Sequence, residues 1–231
     1  GSDEIIFMLC KVFVDEGEQI LFSEYPFAAY PLAAYHSGAE PIVVPRRDDF
    51  RHDLDAMIRA ITDRTKIVFL PNPCNPTGTI VKADEIDDFV NRVPDHVVVV
   101  FDEAYFEYVD DPEFPDGLRY ARQGRRVVVL RTFSKAYGLA GLRVGYGACS
   151  KSVADALKLS VEPFNVSLVS QKAAIAALQD QRHVEKAALW SAEAASICTI
   201  SSTGWGSNTY RRRRTLYWWT PGLILGRSST N

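Results

Sequence analysis

The stretch His96–Tyr105, HVVVVFDEAY, decides the fold. Its apolar run shows no polar alternation, so it predicts a strand buried on both faces, as in a parallel sheet covered by helices on two sides. The run stops on Asp102, and Tyr105 follows within the same turn. Upstream, Lys66–Leu70 (KIVFL) has the same character and runs into Asn72–Thr79 (NPCNPTGT), a segment dense in turn formers that leads to an acidic helix over 83–91. Downstream, Arg126–Leu130 (RVVVL) reads as another buried strand and delivers the chain to Arg131–Gly147 (RTFSKAYGLAGLRVGYG), where Ser134 and Lys135 precede a glycine-punctuated turn. Residues 143–149 can return as a further strand.

Toward the N-terminus, short strands are expected over 19–22 and 41–45, with helices over about 3–16, 25–38 and 53–62. Ser2 or Asp3 is expected to cap the first helix, whose free N–H groups are either a plain capped end or an anion site. Further helices are expected over 150–159 and 166–180, and a longer one begins near His183. Alternating strands and helices argue for an α/β fold with a mostly parallel sheet, in which ligands gather at the carboxyl ends of the strands. Asn75, Asp102, Tyr105, Ser134, Lys135 and Arg143 all fall there. One such residue is usually a cap or turn former, but six converging on one sheet edge are hard to explain as structure.

Composition narrows the function classes. A net charge of −3 over 231 residues argues against a general nucleic-acid binder. Cys10, Cys74, Cys149 and Cys198 are scattered without metal spacing, which suits a reducing cytoplasm. No apolar run is long enough to span a bilayer and no signal peptide is present, so no membrane partner is expected. His36, His52, His96 and His183 share no metal-like spacing, so no metal is expected. Tyr30, Tyr137 and Tyr146 could line a pocket, although aromatics so spaced are more often core.

The motifs NPCNPTGT, FDEAY and TFSKAYGLAGLRVGY, taken as an ordered set, resemble the class I/II aminotransferases of pyridoxal-phosphate fold type I. The opening GSDEII and DEAYFEY are most similar to the histidinol-phosphate branch. The resemblance implies an aspartate-aminotransferase-like three-layer α/β/α domain with a mostly parallel mixed sheet. It implies pyridoxal 5′-phosphate as cofactor and Lys135 as the Schiff-base lysine, with Asp102 pairing with the ring nitrogen. It places Tyr105 and Asn75 on the phenolic oxygen, and Phe27 stacked on the ring. Ser2, Asp3, Ser134 and Arg143 fall to the phosphate. Lys135 would act as base and then acid at the substrate Cα, helped by burial and by the neighbouring Arg143 cation. The implied reaction moves an amino group from a small-molecule donor, histidinol phosphate, to a 2-oxoacid acceptor, 2-oxoglutarate, in a homodimer. Rivals of the same fold are an aromatic aminotransferase and a phosphothreonine-type decarboxylase.

The resemblance fades near Glu193. Residues 1–185 are expected to form the cofactor-binding domain, without the family's N-terminal arm, and 186–231 the start of a small domain. Back-translating Tyr217-Trp-Trp-Thr220 one base earlier forces Leu-Val-Asp, which predicts a single-base deletion near Glu193–Ala194 and an out-of-frame tail carrying the Arg211–Arg214 run. That expectation carries an alternative function, a non-catalytic fragment with uncovered apolar surface.

Overall fold

The computed structural model describes residues 1–203, with side chains described through residue 194. Gly204–Asn231, with the back-translated segment and the arginine run, lies outside the described residues. The elements alternate as expected: α1 (Ser2–Phe13), β1 (Gln19–Ser23), α2 (Ala29–Ser37), β2 (Glu40–Val44), α3 (Leu54–Ala60), β3 (Thr65–Pro71), α4 (Ala83–Arg92) and β4 (Val98–Asp102). They continue with α5 (Leu118–Arg122), β5 (Val127–Thr132), β6 (Gly145–Cys149), α6 (Lys151–Lys158), α7 (Leu168–Gln179) and α8 (Gln181–Thr203). The sheet runs β2-β1-β3-β4-β5-β6, parallel throughout except for β6, which returns antiparallel to β5.

Strand alternation sorts the core into two layers. Ile20, Phe22, Ile67, Phe69, Val98, Val100, Val128 and Leu130 face α1, α2 and α6, where Ile6, Leu9, Tyr30 and Leu157 meet them. Leu21, Val68, Leu70, Val99, Phe101, Val127 and Val129 face α3, α4 and α5, against Met57, Ile86, Phe89 and Tyr120. Burying each large apolar side chain contributes about 1.5–3 kcal/mol, which is why the central strands tolerate no polar alternation. The structure is a three-layer α/β/α sandwich.

Two local expectations are corrected. Neither Ser2 nor Asp3 caps α1: the cap is Gly1, and both residues lie inside the first turn. Asp3 instead turns its carboxylate toward Arg143. The short helix α5 and the 3-10 turns at Phe106–Tyr108 and Ala140–Leu142 were not anticipated, because none spans enough residues to show a period. The expected boundary at 185/186 falls within α8, which packs over the Phe106–Tyr108 turn.

No helix among the described residues is long and apolar enough to cross a membrane. Leu159, Phe164, Leu168, Val169, Leu189 and Trp190 leave an exposed apolar band along the last helices and the segment between α6 and α7.

His52 ties the carboxyl ends of β1 and β3 together. Its Nε2 lies 3.1 Å from the Pro71 carbonyl, which can only accept, so Nδ1 accepts from the Ser23 hydroxyl at 2.8 Å. Burial, then the cations of Arg46 and Arg51, push its pKa down from 6.5 to about 3. The unfolded chain therefore takes up a proton near pH 6.5 that the folded chain refuses. The stability His52 contributes is full above that pH and drains as pH falls toward 3, by about 5 kcal/mol in the limit. Glu103, whose carboxyl burial raises to about 7, contributes the opposite slope between about 4.5 and 7. The informative quantity is thus a difference. In urea titrations from pH 7 to 5, His52→Gln is expected to lose less stability than wild type over the same interval, by about 2 kcal/mol. Parallel curves would show that His52 does not hold a depressed pKa.

Candidate active site

The sheet's carboxyl edge opens into a cleft of about 680 Å³ counted out to its mouth, the size of a small-molecule site. Ser2, Asp3, Phe27, Asn75, Asp102, Tyr105, Ser134, Lys135 and Arg143 all line it. Every residue singled out for the site is therefore brought to one place, from five separate segments of the chain.

The loop after β3 delivers Asn75. Asn72 locks its base by exchanging side-chain hydrogen bonds with Val81 (2.9 and 3.0 Å), while its own N–H donates to the Asp102 carbonyl at 3.0 Å. Within the loop, the Cys74 N–H donates to the Thr79 carbonyl at 2.9 Å, and Gly78 takes a positive φ of 66° that favours glycine. Asn75 thus sits on a braced turn.

Asp102 closes β4 and is buried. Burial raises its pKa. The Tyr30 hydroxyl, the Ala104 N–H and the Lys135 charge pull it back down, while Asp3 opposes them. Tyr105 lies beyond it, and the Lys135 Nζ stands 5.1 Å from the Tyr105 ring centroid. Lys135 itself is exposed, so the burial expected to help activate it is not provided by the described residues.

The cationic end of the cleft is built from two distant segments. Arg143 donates to Asp3 Oδ1 (3.0 Å), to the Ala140 carbonyl (2.8 Å) and, more weakly, to Ser134 Oγ (3.4 Å). The first turn of α1 comes up beside it, with its early amides unsatisfied within the helix. That approach depends on Gly145 in β6. A Cβ there would lie 2.6 Å from the Ser2 nitrogen and 2.9 Å from the Arg131 carbonyl, so any side chain would push α1 off the site.

Two features escaped sequence reasoning. Tyr30 lines the cleft as a fully buried residue whose hydroxyl donates to Asp102 at 2.8 Å, a bond that no spacing in the sequence announces. Tyr137 and Tyr146 do not line it and pack instead on Phe133. The second feature is an ion network built on the buried pair of Arg131 and Glu103, with the more exposed Asp116 joined to it. Arg131 donates through Nε and Nη2 to Glu103 Oε2 (3.0 and 2.8 Å) and to Asp116 Oδ1 (2.7 Å), and its guanidinium lies 3.6 Å from the Phe106 ring centroid. The Gly117 N–H donates to the other Glu103 oxygen at 2.9 Å. The signal available in sequence was a charge on each side of an apolar strand, which is also what an ordinary strand end looks like.

The donor set defines what fits. A primary amine, a buried carboxylate and a guanidinium–hydroxyl pair share one cleft with the aromatic Phe27. A matching molecule is flat, anionic at one end, basic at the other, and carries a carbonyl that an amine can attack.

The comparisons agree with this architecture. The family model for aminotransferase class I and II matches residues 1–197. The histidinol-phosphate aminotransferase of Akkermansia muciniphila is 48% identical over 186 residues, covering 80% of this chain and 51% of that protein. The corresponding protein of Moorella thermoacetica is 50% identical over 192 residues, covering 80% and 48%. The crystal structure of the Sinorhizobium meliloti histidinol-phosphate aminotransferase in complex with pyridoxal-5′-phosphate superposes with a TM-score of 0.80 at 30% identity, over 85% of this chain and 53% of that one. A Thermus thermophilus aspartate aminotransferase gives a TM-score of 0.81 at 23% identity, covering 88% and 55%, and shares the fold. The chain spans about half the length of the curated relatives it matches. Matched over most of its own length and folded as an aspartate-aminotransferase-like α/β/α domain, the chain belongs to the class I and II aminotransferase family.

Proposed function

We propose that this chain is the cofactor-binding part of a pyridoxal-phosphate-dependent transaminase that moves an amino group from histidinol phosphate to 2-oxoglutarate. Residues 1–185 form the cofactor unit in this reading, and 186–231 begin a second, smaller domain. The observation that carries it is the opening of Lys135, Asp102 and Arg143 onto one cleft, with charges sorted as pyridoxal phosphate requires. The choice of donor rests on the histidinol-phosphate aminotransferases at 48–50% identity. The exposed apolar band supports pairing with a second copy, and unbridged Cys10, Cys74 and Cys149 suit a cytoplasmic setting.

When bound, pyridoxal phosphate supplies an aldehyde for the lysine and a ring that takes up electron density from the substrate's Cα. The chain's own residues do the rest. Arg143, Ser134 and the amides of Ser2 and Asp3 would hold the phosphate, Asn75 and Tyr105 would orient the phenolic oxygen, and Phe27 would pack on the ring. Asp102, as a carboxylate, would hold a proton on the ring nitrogen. Lys135, once free as an amine, removes the Cα proton of the substrate and returns it one atom away, as base and then acid.

Incubation with pyridoxal phosphate, borohydride reduction and peptide mass spectrometry tests this reading. The amine condenses with the aldehyde with loss of water, and hydride fixes the link as a secondary amine. One phosphopyridoxyl group on the peptide containing Lys135 is expected, with histidinol phosphate added before reduction lowering the yield. No label, or label spread over surface lysines, would refute the assignment.

A further inference from the structure

Tyr30 is fully buried on α2, seventy-two positions before Asp102, and its hydroxyl donates to Asp102 Oδ2 at 2.8 Å. Burial and the adjacent negative groups raise its own pKa well above 10, so the phenol stays protonated and is the donor. Its ring lies flat on Phe69, with centroids 4.5 Å apart and planes 3° from parallel. It also meets Phe27 edge to face at 5.8 Å and 87°. A tyrosine whose role was only packing could direct its hydroxyl to any nearby carbonyl. This one reaches the buried carboxylate of the cleft and braces the aromatic that faces the same space.

We propose that Tyr30 is a positioning residue for the cofactor site: its hydroxyl aims Asp102 into the cleft and keeps it ionised, and its ring sets the plane of Phe27. The cofactor half of this statement rests on the transaminase reading; the Asp102 half does not. The groups facing Asp102 are Tyr30 from α2, the Ala104 N–H from its own turn, Lys135 from the loop after β5 and Asp3 from α1. Cys74 and Tyr105 face Tyr30. Burial and Asp3 favour the neutral acid, and the other three groups facing Asp102 favour the carboxylate. Removing the hydroxyl leaves burial less opposed, so the carboxyl titrates at higher pH. A carboxylate is what a protonated ring nitrogen needs. The acid limb of cofactor binding should therefore move to higher pH as well.

Tyr30→Phe keeps the ring and its stacking and deletes only the donor. Carboxyl carbon resonances of the cofactor-free chain, with Asp102 assigned by its loss in Asp102→Asn, are expected to show the Asp102 midpoint higher in Tyr30→Phe than in wild type. Pyridoxal phosphate titrations are expected to show about ten-fold weaker binding near pH 7, the loss of a hydrogen bond to a charged group. The gap should narrow as pH rises and vanish in the Asp102→Asn background. An unmoved Asp102 midpoint would overturn the proposal, as would weakening that is equal at every pH and survives in Asp102→Asn. If wild type takes no cofactor, the transaminase reading fails while the carboxyl titration still decides the role of Tyr30. Should Tyr30→Phe not fold, the tyrosine Cζ resonance of labelled wild type decides, since it must follow the Asp102 titration.

Discussion

Lys135→Ala is expected to leave the chain folded and to abolish covalent capture of pyridoxal phosphate. The side chain is exposed and follows a strand whose packing does not involve it, so stability should change by no more than about 0.5 kcal/mol. The anion-binding end, with Arg143 and Ser134, is untouched, and so is Asp102. The variant should therefore still bind the cofactor, more weakly and reversibly. What disappears, on the transaminase reading, is the amine proposed as nucleophile and base. Borohydride should fix nothing in the cleft, and exchange of a substrate Cα proton in deuterated buffer should fall by at least about 10²–10⁴-fold. Lys135→Arg sharpens the experiment, because a guanidinium keeps a cation near the Tyr105 ring but does not attack an aldehyde. Capture by either variant at the wild-type level would place the reactive amine elsewhere.

The second large effect is on stability. Arg131→Met should cost up to about 3–5 kcal/mol at alkaline pH, because it leaves the Glu103 carboxyl buried without its cation, so that it must either stay charged or take up a proton. Methionine fills similar volume, so the loss is electrostatic more than steric. The pH dependence identifies the cause. Burial already raises the Glu103 carboxyl to about 7, with Arg131 the main group pulling it down. Without Arg131 it rises further, and the folded variant binds a proton where the unfolded chain does not. Its stability deficit should therefore be greatest well above pH 7 and shrink as pH falls to about 7, below which the carboxyl is neutral in both folded proteins. Denaturant midpoints for wild type and variant at pH 8 and pH 5.5 measure this, and a deficit equal at both would assign the damage to packing. The network matters to the site because it joins the turn after Asp102 to β5, the strand that leads into the loop carrying Lys135.

The sheet was legible because β3, β4 and β5 are buried on both faces, and apolar packing on two sides leaves no freedom for polar residues at 67–70, 98–101 or 127–130. Six of the residues that line the cleft, Asn75, Asp102, Tyr105, Ser134, Lys135 and Arg143, were legible for a related reason, whereas Phe27 was placed by the family resemblance and Ser2 and Asp3 by the start of a helix. In a parallel sheet, chemistry collects where strands end; Asp102 is the last residue of β4, and Asn75 and Lys135 follow the ends of β3 and β5. Caps and short turns were not, since Gly1 caps α1 without a side-chain signal and α5 is only five residues long.

Sequence by itself determined the layer architecture, the strand ends and the kinds of side chain gathered there, because burial and periodicity act along the chain. Tertiary structure alone decided how those groups are charged and aimed. Tyr30 reaches Asp102 from another element, Arg131 meets Glu103 across two strands, and Gly145 lets α1 approach Arg143. Each depends on a distance of a few ångströms between residues far apart in sequence. The opening stretch at 96–105 thus declares a strand that ends on an acid, and only the packed chain makes that acid a buried, tyrosine-held carboxylate.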